Sequence, residues 1–111
     1  MKAMVVSGKG EGAKYVEVYS NKLKKEIGFV PYPGTLNLKV KSIPPLETLR
    51  IDAFGKFGAV EMAPCAVNRE RAFAVFPEKG KHEGNVVEVI AEKNIKAVLS
   101  LEDGDFVHLQ F

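Results

Sequence analysis

The amino-acid sequence predicts a mainly β domain, a compact six-stranded β-barrel with two short helices. Three observations support this fold class. The 111 residues suit one ordinary domain and leave no room for two, so residues 1–111 are expected to form a single unit. Apolar and polar side chains alternate over short segments that turn residues separate. Closing the sheet on itself also removes exposed strand edges, which so short a chain has few other ways to protect.

The first predicted elements are a strand and a helix. A short strand is expected to end at residues 16–19, and a two-turn helix is expected to follow it. Ser20 is a suitable N-cap, Leu23 and Ile27 share one helix face, and Gly28 stands where a left-handed C-cap belongs.

A proline-rich turn then leads into a second strand. Pro31 and Pro33 hold the backbone extended, and Gly34 permits a turn. From there the pattern alternates, with Leu36, Leu38 and Val40 on one face and Thr35, Asn37, Lys39 and Lys41 on the other.

The remaining elements are mostly strands. Strands are predicted over residues 49–54, 59–67, 72–76 and 86–91, with turns at 55–58 and 68–71. A second short helix is predicted over 94–99, and Asp103-Gly104 turns the chain into a last strand that ends at Phe111.

Composition excludes several functional classes. One cysteine forbids an internal disulfide, and one cysteine with two histidines cannot build a structural zinc site. No segment approaches the roughly 20 apolar residues of a membrane span, so a cytoplasmic protein with no membrane partner is expected. The net charge of +2 is too weak to indicate nucleic-acid binding.

The segment Ser7-Gly8-Lys9-Gly10-Glu11-Gly12-Ala13-Lys14-Tyr15 is a candidate phosphate-binding loop. Alternating glycines allow successive backbone N–H groups to face one anion. The segment is neither a P-loop nor a dinucleotide fingerprint, because the required Gly-Lys-Ser/Thr and the long helix are missing. A flexible hairpin loop fits the same pattern. The local excess of lysines suits a phosphate-bearing ligand or a solvated face: Lys9, Lys14, Lys22, Lys24 and Lys25.

Thr35 and Asn37 are candidate ligands for a metal ion. Residues two apart on a strand project from the same face, with about 6.5 to 7 Å between their Cα atoms. A hydroxyl and an amide oxygen can therefore meet on one Mg²⁺ whose negative partners are substrate phosphates. Ordinary polar alternation is the alternative, and the rigid Pro-Gly approach favours the metal.

Glu88 is the lone charge within Val86-Val87-Glu88-Val89-Ile90. Its carboxylate could accept the proton of a substrate hydroxyl or orient that hydroxyl, hydrogen-bond a polar ring edge, or simply face water. His82 falls in a polar loop with no partners that indicate a triad. Cys65 is expected to belong to the core, with no catalytic role.

Taken together, these segments resemble the archaeal CTP-dependent riboflavin kinases. The resemblance rests on Gly8-x-Gly10-x-Gly12-x-x-Tyr15, Gly28-Phe29-x-Pro31-Tyr32-Pro33-Gly34-Thr35-Leu36-Asn37, His82-x-Gly84-x-Val86-x-Glu88-Val89-Ile90-Ala91, Asn94-Ile95-Lys96 and Leu101-x-Asp103-Gly104-Asp105-x-Val107. It spans nearly the whole chain in order, and Pro-Tyr-Pro-Gly-Thr-Leu-Asn is its most specific string.

The resemblance implies a barrel of the cradle-loop type that transfers the γ-phosphate of CTP to the 5′-hydroxyl of riboflavin, giving FMN and CDP. It implies that Thr35 and Asn37 bind one Mg²⁺ and that Glu88 contacts the flavin. The implied nucleotide-binding residues form two segments: Gly8, Lys9, Gly10, Glu11, Gly12 and Ala13, and then Lys93, Asn94, Ile95 and Lys96.

The chain departs from the family pattern at a few positions. Gly80 stands where a threonine is expected to touch the flavin, and Lys96 stands where arginine is common, which keeps the charge but loses the bidentate fork. Some relatives carry an N-terminal helix-turn-helix domain, for which these residues leave no room. A monomer is expected. Two alternatives stay open: a non-catalytic barrel that binds flavin or nucleotide, and a small DNA-binding barrel.

Overall fold

Strands dominate the computed structural model, which describes residues 1–8, 12–52, 58–77 and 85–111. Seven strands and three helices are assigned within those residues: β1 Lys2–Val6, α1 Gly12–Val18, α2 Ser20–Ile27, β2 Leu36–Lys39, β3 Leu49–Ile51, β4 Val60–Val67, β5 Glu70–Pro77, β6 Val86–Ile90, α3 Ile95–Val98 and β7 Phe106–Gln110.

Six of these strands form a closed ring of antiparallel neighbours. The order is β4, β5, β6, β2, β1 and β7, and β7 returns to β4 through pairs such as Ala66 with Gln110. The third strand pairs with the other half of the same β4 edge, where Ile51 lies opposite Val60. The predicted mainly β, closed architecture is therefore confirmed, with β3 as a seventh strand beside the ring.

Two hydrophobic clusters lie on opposite faces of the sheet. The first draws on all six ring strands and fills the ring, with Leu38, Val87 and Leu109 at its centre. The second lies on the outer face of β3 to β6, where it is covered by Val16 of α1, Tyr19 of the turn between the two helices, and Leu23 of α2. Residues 87 and 89 face the first cluster while Ile90 faces the second, as the two-residue period of a strand requires.

The prediction of a strand ending at residues 16–19 was wrong, because α1 occupies Gly12–Val18. Val16, Tyr19 and Leu23 are spaced by three and four residues across α1, the turn after it and α2, and all three side chains pack into the second cluster. No strand was predicted for residues 2–6, which form β1. The described residues thus form three short helices rather than the two that were predicted.

Helix α2 occurs where the two-turn helix before Gly28 was predicted. Gly28 ends it in the left-handed conformation, with φ of 86°, and its N–H donates to the Lys24 carbonyl at 2.9 Å. The N-cap prediction was wrong, because Ser20 is already helical and Tyr19, which precedes it, makes no capping bond through its side chain.

The later strands and α3 also occur where they were predicted, within a few residues. The predicted strand over 49–54 ends at Ile51, and residues 53–57 lie outside the described part of the chain. Asn68 and Arg69 form the β4–β5 turn with φ values of 47° and 72°. Among the described residues, no helix has the length and apolar character needed to cross a bilayer.

Candidate active site

Asn37 and Glu88 are direct cross-strand neighbours. They are paired on β2 and β6, and both side chains are buried, at 6% and 7% exposure. Opposite residues of an antiparallel pair share a face, with Cβ atoms about 4.5 to 5.5 Å apart. Because Val75 is the partner of Glu88 on the next strand and belongs to the second cluster, this pair lies on the outer face of the ring.

Simple polar alternation would leave Asn37 and Glu88 exposed to solvent, but both are buried. Ile90, two residues beyond Glu88, lies under the helices, so the carboxylate is set at the margin of the helix-covered surface. The interpretation in which Glu88 simply faces water is therefore wrong. A buried carboxylate next to a buried amide needs a polar partner or ligand, since desolvation of such groups is costly.

The side-chain oxygen of Asn37 is short of a partner. Oδ1 is buried and accepts no hydrogen bond from the described residues. Gly8 lies directly against the same amide: a Cβ atom there would overlap Asn37 Nδ2 and come within 3.1 Å of Cγ. The start of the glycine segment is thus packed onto one of the two predicted metal ligands, and only glycine leaves room for both.

Thr35 lies at one end of the ring, where β2 begins and β6 ends. Its half-buried side chain lines a pocket together with Tyr32, Gly34, Ala91 and the predicted nucleotide segment Lys93 to Lys96. The Tyr32 N–H donates to the Ala91 carbonyl at 2.8 Å, which ties the proline-rich approach to the end of β6. Thr35 and the second nucleotide segment are therefore brought together, with Asn37 two residues further along the strand.

The four residues of that segment have different surroundings. Lys93 and Lys96 are exposed, and Ile95 is buried in the first cluster, which leaves only its backbone for a ligand. The side-chain oxygen of Asn94 accepts from the Ala97 N–H at 3.3 Å and caps α3. The two lysines are thus the polar side chains of the segment that are open to a phosphate.

Asp103 connects the two predicted nucleotide segments. One carboxylate oxygen accepts a hydrogen bond from the Ser7 hydroxyl, and the other lies 3.1 Å from Lys96 Nζ. The Ser7 bond, followed by the Lys96 contact, holds the pKa of Asp103 below its usual value. The residue just before Gly8 and the lysine beside Thr35 therefore meet on one carboxylate.

Several predicted site residues are placed only in part. Lys9, Gly10, Glu11 and Gly80 lie outside the described residues, while Gly12 and Ala13 begin α1. Among the described residues, no group of three or more His, Cys, Asp or Glu side chains could hold a metal. Burial raises the pKa of the Cys65 thiol to about 12, against a smaller opposing effect of a backbone hydrogen bond with Ala74, so its reactive thiolate is scarce at neutral pH.

Comparisons with known proteins identify the family of the chain. Residues 5–111 match a family model labelled CTP-dep_RFKase and described as a domain of unknown function, DUF120. The chain belongs to the archaeal CTP-dependent riboflavin kinase family. A riboflavin kinase from Thermococcus kodakarensis is 35% identical over 117 residues, and one from Staphylothermus marinus is 34% identical over 122 residues.

Coverage differs among these family members. The alignments include 96% and 98% of this chain, respectively. The chain spans only 56% of the Thermococcus protein and 57% of a Pyrobaculum arsenaticum riboflavin kinase, but 88% of the Staphylothermus one. The shared region is thus little more than half of some family members and most of another.

Three residues near the site were not predicted individually to belong to it, although Ser7 begins the candidate phosphate-binding segment. Ser7 and Asp103 meet only through the fold, because 96 residues separate them in the chain. Tyr32 stood within the diagnostic string, and its 42% exposed side chain lines the pocket. An aromatic residue between two prolines was the one available signal, while nothing local distinguished Ser7 or Asp103 from turn residues.

Proposed function

We propose that this chain is a CTP-dependent riboflavin kinase, which transfers the γ-phosphate of CTP to the 5′-hydroxyl of riboflavin and releases FMN and CDP. The observation that carries the proposal is the buried Asn37 oxygen, short of a partner, opposite the buried Glu88 and beneath Gly8. A plain structural strand gains nothing from such an arrangement, since each buried unpaired polar atom costs about 1 to 3 kcal/mol.

The family names support the substrate. The Staphylothermus riboflavin kinase contains little beyond the region that this chain matches, which favours a complete activity within the shared domain. Preference for CTP follows from the family label alone.

The residues present fit a magnesium ion. The Asn37 amide oxygen and the Thr35 hydroxyl are neutral oxygen ligands, the kind that suits Mg²⁺ when phosphates supply the negative charge. Asn37 Oδ1 has no other partner among the described residues, so binding an ion would satisfy it. Held by Thr35 and Asn37, a magnesium ion would neutralise the negative charge of the phosphates.

The chain's own groups position the reactants. Backbone N–H groups of the segment that starts at Gly8 would face the CTP phosphates, and Lys93 and Lys96 would add positive charge at the pocket. The riboflavin hydroxyl oxygen attacks the γ-phosphorus, and the bond from that phosphorus to the CDP oxygen breaks. Glu88 would accept a hydrogen bond from the attacking hydroxyl and orient it; taking up its proton is the alternative role.

A donor screen tests the activity. The protein is incubated with riboflavin, Mg²⁺ and each nucleoside triphosphate in turn, and FMN is separated by chromatography. We expect FMN with CTP. No FMN with any donor refutes the kinase proposal, and equal FMN from ATP refutes only the CTP preference.

Three substitutions test the site. Thr35→Ala and Asn37→Ala should each lower turnover on the order of 100-fold, as expected when reacting groups lose their positions, with the thermal midpoint nearly unchanged. Thr48→Ala is the matched control, since Thr48 is exposed and its hydroxyl contacts Glu61 instead, at 3.2 Å. Glu88→Gln keeps an acceptor oxygen, so substantial residual activity supports orientation, and near-complete loss supports proton uptake. Full activity in both the Thr35 and Asn37 variants would show that the metal pair is wrong.

The alternatives are separated by simple measurements. A flavin- or nucleotide-binding barrel would bind riboflavin without turnover, and a DNA-binding barrel would give a salt-sensitive gel shift on duplex DNA. The monomeric state and the cytoplasmic location stay predictions, which sedimentation and cell fractionation would test.

A further inference from the structure

The carboxylate of Asp103 lies between two segments that are far apart in sequence. Ser7 ends the approach from β1 into the glycine segment, and Lys96 belongs to α3 beside the pocket that Thr35 lines. Both carboxylate oxygens are used, one for each segment. Asp103 and Lys96 are about half exposed, so their contact remains open to a ligand in solvent.

The turn that carries Asp103 is held firmly in place. The Gly104 N–H donates to the Val5 carbonyl and the Val5 N–H donates to the Asp105 carbonyl, each at 2.8 Å. Within the turn, the Glu102 N–H donates to the Asp105 carboxylate at 2.7 Å. The Leu101 N–H also donates to the Lys96 carbonyl at 2.8 Å, which joins the turn to α3. These bonds fix the backbone without help from the Asp103 side chain, which is therefore available for another task.

We infer that Asp103 is a positioning residue for the nucleotide, which holds Ser7 and the Lys96 ammonium so that both face the same phosphate chain. This inference rests on the proposed function. A lone carboxylate near a triphosphate would repel it, but here one oxygen accepts from the hydroxyl and the other is compensated by the lysine. The lysine side chain, which is otherwise free to adopt many rotamers, is held at one place beside the pocket.

The experiment compares Asp103→Ala and Asp103→Asn with the wild-type protein in FMN formation, varying CTP at saturating riboflavin and riboflavin at saturating CTP. Exposed ion pairs have modest energies, so we expect the KM for CTP to rise about 3- to 10-fold in Asp103→Ala. The KM for riboflavin should stay within about twofold, and the asparagine variant should lie between, because it keeps one acceptor oxygen. Ser7→Ala combined with Asp103→Ala should cost less than the sum of the single changes, since the two residues share one contact.

Glu61→Gln is the matched control, because Glu61 is another exposed carboxylate that accepts a threonine hydroxyl, on β4. Both KM values should be unchanged in it. An unchanged or lower KM for CTP in Asp103→Ala, or an equal rise of both KM values, overturns the inference while leaving the kinase proposal intact. If the wild-type protein makes no FMN, the kinase proposal fails. In that case CDP titration by calorimetry decides the inference, and an equal Kd for wild type and Asp103→Ala overturns it.

Discussion

Gly8→Ala should damage both stability and activity through one specific contact. The added Cβ would overlap Asn37 Nδ2 and lie 3.1 Å from Cγ and 3.4 Å from Oδ1. Asn37 has little freedom to retreat, because its neighbours Leu36 and Leu38 are both held in the first cluster. Overpacking of this kind costs about 1 to 3 kcal/mol, and a domain of this size loses about 4 °C of Tm per kcal/mol. We therefore expect the Tm to fall by about 4 to 12 °C and turnover to fall on the order of 100-fold.

The cause can be isolated by changing the partner. In an Asn37→Ala background the amide is gone, so Gly8→Ala should cost almost no stability there, although activity stays low. Gly28→Ala is the control: its φ of 86° makes alanine strained by about 1 to 2 kcal/mol, yet nothing lies within 4 Å of its Cβ. The Tm of Gly28→Ala should fall by an amount comparable to that of Gly8→Ala, while its turnover at 25 °C should stay normal. The reasoning is refuted if Gly8→Ala costs the same Tm with and without the Asn37 side chain, measured by circular dichroism.

Four further predictions concern three residues in other parts of the fold. Because burial raises the Cys65 pKa to about 12 from 9.0, alkylation by iodoacetamide at pH 8 should be about 1000-fold slower than for an ordinary cysteine, and a rate near that of free cysteine would contradict it. The raised pKa also predicts that this residue's contribution to stability falls as pH rises above about 9, where the unfolded thiol ionises first. Tyr19→Phe removes the buried bond from the Tyr19 hydroxyl to the Gly58 carbonyl, 2.8 Å long, and should lower the free energy of unfolding by about 1 to 3 kcal/mol in urea titration; an unchanged value would show that the bond contributes nothing. Arg69→Gly relieves a φ of 72° in the two-residue turn and should raise the Tm by a few degrees, about 0.4 to 1 kcal/mol, whereas a lower Tm would mean that the arginine side chain contributes more than the turn strain costs.

The strands were predictable where their pattern is local. From Leu36 to Lys39 and from Val86 to Ile90 the spacing of apolar residues was sufficient. Residues 16–19 misled because valine at positions 16 and 18 imitates strand alternation, while the helical spacing of Val16, Tyr19 and Leu23 becomes decisive only once the outer face of the sheet is there to be covered.

Candidate site residues could be named from the sequence, but their environment could not. Glu88 and Asn37 are 51 positions apart, and no local pattern indicates that β2 and β6 are paired in register. The burial of Asn37 also depends on this long-range pairing, since β2 is flanked by β6 and β1 in the sheet. The Asp103 contacts required knowledge of where the turn before β7 meets the end of β1.

The closure of the ring has a consequence for folding order. Residues 106–110 pair with both β1 and β4, so the two edges that they join stay open until this last strand docks. Contacts between distant parts of a chain form slowly, because the entropy of loop closure is lost before the contacts compensate for it. During synthesis β1 and β2, which carries Asn37, would thus leave the ribosome well before the turn that holds Asp103. A nascent chain would therefore complete the ring in one late step.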